Sequence, residues 1–335
     1  MVIFNCLRGK LVRFNLVLLL WNWYDYLFFY FLIPVILTAF HVLPDDLKDY
    51  LILWPLNPTF AGLFFSSYVH LNFNHFLNNL LSYLFVIFFL FNFETDRRLF
   101  YRVSSLLLLL LPILSSLLII FLPAFRVPGV YFLGFSVITS GFEGYSIYAV
   151  FSYLRNVLKF SFNSSFILLV FSLNNMIVLL NLKIPSTYQF IMISAFTILL
   201  FLFVYSIYVN RLGIKQMMYM LTLNRIKSLF KGGCLVSAYR LLLILLVIKY
   251  LFSLPVLIPP EILIGGSVIN IFSHYVGYTF GTFTPIIIGS LKWNYQIPSR
   301  IYWRGFYNIE KGKLVRVWVI LHGVASSFMK VCYIF

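Results

Sequence analysis

The sequence predicts an all-α fold, a polytopic transmembrane helix bundle of about eight spans. Three observations predict it. The 335 residues are 62% hydrophobic and only 10% charged, whereas a soluble domain carries roughly 25% charged residues, so there is too little polar surface to cover a water-soluble globule. The apolar runs are long and unbroken, as in 103–122 and 190–209. Backbone in lipid must satisfy its own hydrogen bonds, which leaves helices or closed barrels. Runs of about 20 residues suit spanning helices, not barrel strands of about 10 alternating residues. Finally, the net charge of +16 is gathered into short basic clusters between the apolar runs. That is the pattern of cytoplasmic loops rather than of a nucleic-acid surface, so the expected surroundings are the lipid bilayer and no nucleic acid.

Residues 1–25 read as a basic cytoplasmic lead-in containing Arg8, Lys10 and Arg13. No small-residue cleavage site follows, and Asp25 interrupts the apolar run, so the segment is expected to be retained. Spans are expected near 26–43, 76–93, 103–122, 136–154, 165–182, 190–209, 238–254 and 265–289. The segment 44–75, with Trp54, Pro55, Pro58 and several aromatics, reads as an interfacial loop. The stretch 210–233 reads as a basic inside loop, and 291–335 as a basic cytoplasmic tail. Within that tail, 315–335 is expected to be an interfacial helix or a ninth span. With the N-terminus inside, the inside segments collect Arg97, Arg98, Arg102, Arg155, Lys159, Arg211 and Lys215 among others. The outside segments hold only Lys48, Arg126 and Lys183, together with Asp45, Asp46 and Asp49. This asymmetry places both termini in the cytoplasm of a cell-membrane protein. Cys6, Cys234 and Cys332 are scattered, with no CxxC pair, so neither a zinc site nor a disulfide framework is expected.

Polar groups inside a membrane are costly, and three sets call for a reason. His75 and Asn79, preceded by His70, lie four residues apart at the start of the second span and share one helix face. Two side-chain donors side by side can stabilise a developing oxyanion. Gly134-Phe135-Ser136 stands where a loop becomes the fourth span, which puts the serine at a helix N-terminus, the end that favours negative charge. His274, with Gly277 and Gly281 on the same face, lies in the last span, where glycines admit a close helix neighbour. Each set alone has an ordinary structural explanation. Together they bring a nucleophile, a base and an oxyanion site to one depth, because all three helices are expected to enter from the same side.

These motifs resemble those of the rhomboid intramembrane proteases. The His70-x4-His75-x3-Asn79 pattern is similar to their second helix, Gly134-x-Ser136 to their nucleophile motif, and His274-x2-Gly277-x3-Gly281 to their last catalytic helix. The resemblance covers roughly 26–154 and 238–289. It implies a rhomboid-like transmembrane domain over 26–290, with a six-helix core and an inserted hairpin at 165–209. It implies a serine endopeptidase with Ser136 as nucleophile and His274 as its base. His75 and Asn79 would stabilise the oxyanion, and His70 would have a structural role near the outer loop. Substrates would be single-span membrane proteins, and neither a metal nor an organic cofactor is implied. The chain departs from the family at Val137, where a small residue is usual, and at Ser140, where a tyrosine is common. These departures motivate an alternative, an inactive rhomboid-like protein that binds membrane helices. A transporter, suggested by Glu143 inside the fourth span, is the third reading.

Overall fold

The computed structural model describes residues 21–122, 126, 128–181, 189–220, 263–264, 267–268 and 271–290. Apart from a two-residue antiparallel pair, Leu263–Ile264 with Ser267–Val268, the described elements are helical. They are α1 (Trp23–His41), α2 (Asp45–Leu51), α3 (Phe60–Phe65), α4 (Phe73–Phe93), α5 (Arg97–Phe121), α6 (Ser136–Asn156), α7 (Ser165–Asn181), α8 (Gln189–Met220) and α9 (Ile271–Ser290). Four helices are long and apolar enough to cross a membrane: α1, α4, α5 and the Ile193–Tyr219 part of α8. The chain is an α-helical membrane protein.

The sequence accounts for most helix boundaries. Asp96 starts α5, its carboxylate accepting from the N–H groups of Arg98 and Leu99 at 2.9 and 3.1 Å. Thr59 caps α3 through the Gly62 N–H at 2.8 Å. Asn72 caps α4 through Asn74. Both α1 and α5 contain a π turn, Leu27–Leu32 and Leu106–Leu110, just before a proline, Pro34 and Pro112. Proline supplies no N–H to the preceding turn, and the ladder widens there to i→i−5 bonds.

Several expected boundaries shift. The first span begins at Trp23 rather than 26, because Asp25 is tolerated inside the helix: it is buried and paired with Arg97 Nη2 at 2.9 Å. The fifth span runs to Asn181 and the sixth to Met220, so the stretch from 210 begins as helix and carries Arg211 and Lys215 outward on α8. The last span begins at Ile271 rather than 265. The segment 44–75 is not a plain loop. It folds into the short helices α2 and α3, and Leu53 pairs with Phe132 through backbone bonds of 3.0 and 3.2 Å. The expected span at 238–254, residues 1–20 and the tail 291–335 lie outside the described residues.

Helix α6 is the centre. Seventeen of its 21 residues are buried, although it holds Thr139, Ser140, Glu143, Ser146 and two glycines. It can be this polar because protein surrounds it, not lipid. The face of α4 bearing Tyr83 packs on Phe135 and Phe142. The partner that comes closest is α9. A Cβ on Gly277 would overlap the Val137 carbonyl oxygen, one on Gly281 the Gly141 carbonyl oxygen, and one on Gly144 the Tyr278 carbonyl oxygen. The two backbones therefore touch at three points along about two turns of α6, the contact that small residues allow between membrane helices. By contrast, α8 exposes Phe190, Phe201 and Tyr208 at 81%, 74% and 66%, as a lipid-facing helix does.

Contacts fix the helix directions. The starts of α4, α6 and α9 lie at one end of the bundle: Gly134 meets His75, and Gly277 meets Val137. Their later turns also pair, Phe93 with Tyr153 and Gly289 with Tyr148. Helix α5 runs the other way, with Phe100 near Tyr145 and Leu111 near Gly141.

Candidate functional site

The residues singled out in the sequence lie at this common end. Gly134 has φ +110°, a conformation that side-chain-bearing residues rarely adopt. Its N–H donates to the Ser66 carbonyl at 2.9 Å. A Cβ there would sit 2.7 Å from His75 Cε1 and 3.6 Å from Asn79 Nδ2. The second-span pair therefore closes directly on the turn that delivers Ser136. Ser136 is the first residue of α6 and half-buried, and a first-turn N–H has no acceptor within its own helix.

His70 holds this arrangement from behind. Its ring is fully buried. Its Nε2 accepts from Asn79 Nδ2 at 2.9 Å and from the Phe135 N–H at 3.2 Å. Two donors on one nitrogen make Nε2 an acceptor, so the ring is neutral with its proton on Nδ1. Burial lowers the His70 pKa to about 3, helped by the neighbouring His75 and His41; the Tyr68 backbone opposes this. Asn79 spends one amide hydrogen on His70 and keeps the other for the Gly134 side. Only a structural role was expected of His70, and the structure makes that role specific: it orients Asn79 and the Phe135 backbone together. His75 stands edge-on to it, with ring centroids 5.2 Å apart.

His274 is half-buried on α9, one turn before Gly277, the residue that presses on the Val137 carbonyl. Ser136 precedes Val137 by one residue, so the serine and histidine both lie on the starting side of this helix contact, each within about a turn of it. Among the described residues, no hydrogen bond joins Ser136 Oγ to His274. Bonds of this kind are commonly long in unliganded sites and tighten when substrate binds.

A small cleft of about 20 Å³, part of it open to the surroundings, touches Ser136, Val137 and Gly134. Five more serines line it: Ser66, Ser67, Ser115, Ser116 and Ser273. Ser115 and Ser273 face each other, with their oxygens 3.4 Å apart. Such a lining suits water, which needs two to four polar partners. Sequence reasoning missed this cleft. The signal was present as the pairs Ser66-Ser67 and Ser115-Ser116 and as Ser273 beside His274, but nothing in one sequence says that they converge.

Deeper in the bundle, Ser140 is buried and its hydroxyl has no hydrogen-bond partner among the described residues. Glu143 is buried too. A carboxyl inside a span is expected to be protonated or paired with a polar group such as Arg240 or Asn175; Asn175 donates to the Phe171 carbonyl at 2.7 Å, and Arg240 lies outside the described residues. Polar pairs such as Asn174-Asn175 inside a span are expected to bond between helices, and Asn174 does so, donating to the Tyr278 hydroxyl at 2.9 Å. Helix α7 is thereby tied to α9 and forms a wall of the core. No family model, curated protein or solved structure matches the chain.

Proposed function

We propose that this chain is a serine endopeptidase of the rhomboid type, cutting single-span membrane proteins within or beside the bilayer. The observation that carries the reading is the closure of His75 and Asn79 on Gly134, two residues before Ser136. In this mechanism Ser136 Oγ attacks the scissile carbonyl carbon while His274 takes its proton, later passing it to the leaving amine. The tetrahedral oxygen is held by the His75 and Asn79 side chains and the Ser136 N–H. Water from the serine-lined cleft then hydrolyses the acyl-enzyme. The finer architecture belongs to the same proposal: a six-helix rhomboid-like core, eight spans, both ends in the cytoplasm and a place in the cell membrane. Purified protein in liposomes with a single-span reporter tests it. Cleavage is expected from the wild type and lost in Ser136→Ala and in His274→Ala. Undiminished cleavage in either folded variant rules the dyad out.

Ser140, which stands where a tyrosine is common in the family and whose buried hydroxyl has no hydrogen-bond partner among the described residues, favours a second reading, an inactive relative that holds membrane helices. A fluorophosphonate probe separates the two: covalent labelling of Ser136 supports the protease, and an unlabelled but folded protein supports the helix binder.

A further inference from the structure

The two helices in which a π turn precedes a proline, α1 and α5, each receive a tyrosine hydroxyl on a carbonyl of that turn. In α1, Tyr83 donates to the Phe29 carbonyl at 3.0 Å, five residues before Pro34. In α5, Tyr68 donates to the Leu108 carbonyl at 2.5 Å, four residues before Pro112. The two differ in where the tyrosine comes from. Tyr83 belongs to the regular helix α4, whereas Tyr68 belongs to the turn Ser66–His70 between α3 and α4.

That turn holds the site. Ser66, two residues before Tyr68, takes the Gly134 N–H on its carbonyl. His70, two residues after, takes the Phe135 N–H and the Asn79 amide on Nε2. The Tyr68 ring lies 5.6 Å from the Phe135 ring and 5.5 Å from the Phe64 ring. We propose that Tyr68 is a positioning residue of the protease reaction, its hydroxyl pinning the Ser66–His70 turn to α5 and so setting the placement of Asn79 and of the backbone leading to Ser136. This rests on the protease reading above. The pin is strong because of its partner. The Leu108 carbonyl has lost its i→i−4 donor to Pro112, and a membrane helix offers little water in its place. Aromatic packing alone permits the ring to slide, whereas a hydrogen bond to one carbonyl fixes its height.

The experiment is a pair of variants assayed with the reporter, alongside thermal unfolding. Tyr68→Phe keeps the ring and removes the pin. Its expected kcat is down by roughly tenfold to a hundredfold, the scale of a misplacement of about 1 Å, with KM unchanged within about twofold. It also loses stability, because the Leu108 carbonyl loses the tyrosine hydroxyl that stands in for the donor missing at Pro112. Pro112→Ala restores a backbone donor to α5, so adding it to Tyr68→Phe is expected to recover the stability but not kcat, measured against Pro112→Ala alone. Wild-type kcat in Tyr68→Phe, or a kcat that recovers together with stability in the double variant, overturns the proposal. Failure of the protease reading shows separately, as wild-type protein that neither cleaves the reporter nor labels at Ser136.

Discussion

Gly134→Ala is the sharpest perturbation the site offers. The residue has φ +110°, and holding a side-chain-bearing residue in such a sparsely populated region costs of order 1–3 kcal/mol. The added methyl would also stand 2.7 Å from His75 Cε1 and 3.2 Å from its Nε2. Carbon atoms rest at about 3.5–4.0 Å, so the imidazole must retreat by roughly 1 Å or the turn must move. Either motion displaces the proposed oxyanion donor, and a 1 Å misplacement can cost about a hundredfold in rate. The expected variant is folded, unfolds several degrees lower, and cleaves a single-span reporter about a hundredfold more slowly. Thermal unfolding in detergent and kcat in liposomes give the two numbers. Wild-type stability refutes the backbone argument. Reduced stability with wild-type kcat refutes the placement of His75 at the reacting centre.

Other expectations follow from the same contacts. Gly281→Ala puts a methyl onto the Gly141 carbonyl and is expected to cost about 1–3 kcal/mol as α6 and α9 part. Gly289→Ala, whose nearest new neighbour is the Tyr148 hydroxyl at 3.9 Å, is expected to unfold at the wild-type temperature. Tyr278→Phe leaves the buried Asn174 amide unpaired and is expected to cost about 1 kcal/mol, most of it recovered by adding Asn174→Leu. Glu94 is buried at the end of α4, where burial raises its pKa to about 7 from 4.5; the Tyr145 hydroxyl and the Asp96 and Thr95 N–H groups oppose the rise, and the Asp96 charge adds to it. Its contribution is full below pH 4.5 and is lost as pH rises to about 7, on the order of 3 kcal/mol. Glu94→Gln is expected to flatten the unfolding temperature between pH 5 and pH 8. His70 acts in the opposite sense: its lowered pKa gives stability that is full above about pH 6.5 and lost as pH falls towards 3.

What the sequence showed, and what it hid, divides along physical lines. Long apolar runs announced α1, α4, α5 and α8, because a helix facing lipid has little choice of composition. The spacings His75/Asn79 and Gly277/Gly281 announced shared faces, because helix periodicity is local. His70 was legible as a polar oddity but not as the acceptor for both Asn79 and Phe135, since those partners lie 9 and 65 positions away. Asp25 was read as the end of an apolar run. Its partner, Arg97, is 72 residues distant, and only that pairing lets a carboxylate stay inside the helix.

The site helices also explain why hydropathy is a poor guide to function in this fold. Neither α6 nor α9 is among the four helices apolar enough to be recognised as spans on composition, yet they are 21 and 20 residues long, about 30 Å at 1.5 Å per residue. Their low hydropathy has one cause with two effects. A helix enclosed by others need not be apolar, so it can carry Ser136, Ser140, Glu143 or His274. The same enclosure needs small residues where backbones meet, so it carries Gly141, Gly144, Gly277 and Gly281. Polar chemistry and close packing therefore concentrate on the helices that look least like membrane spans. The lipid-facing α8, which meets every compositional rule, contributes none of the described residues lining the cleft beside Ser136.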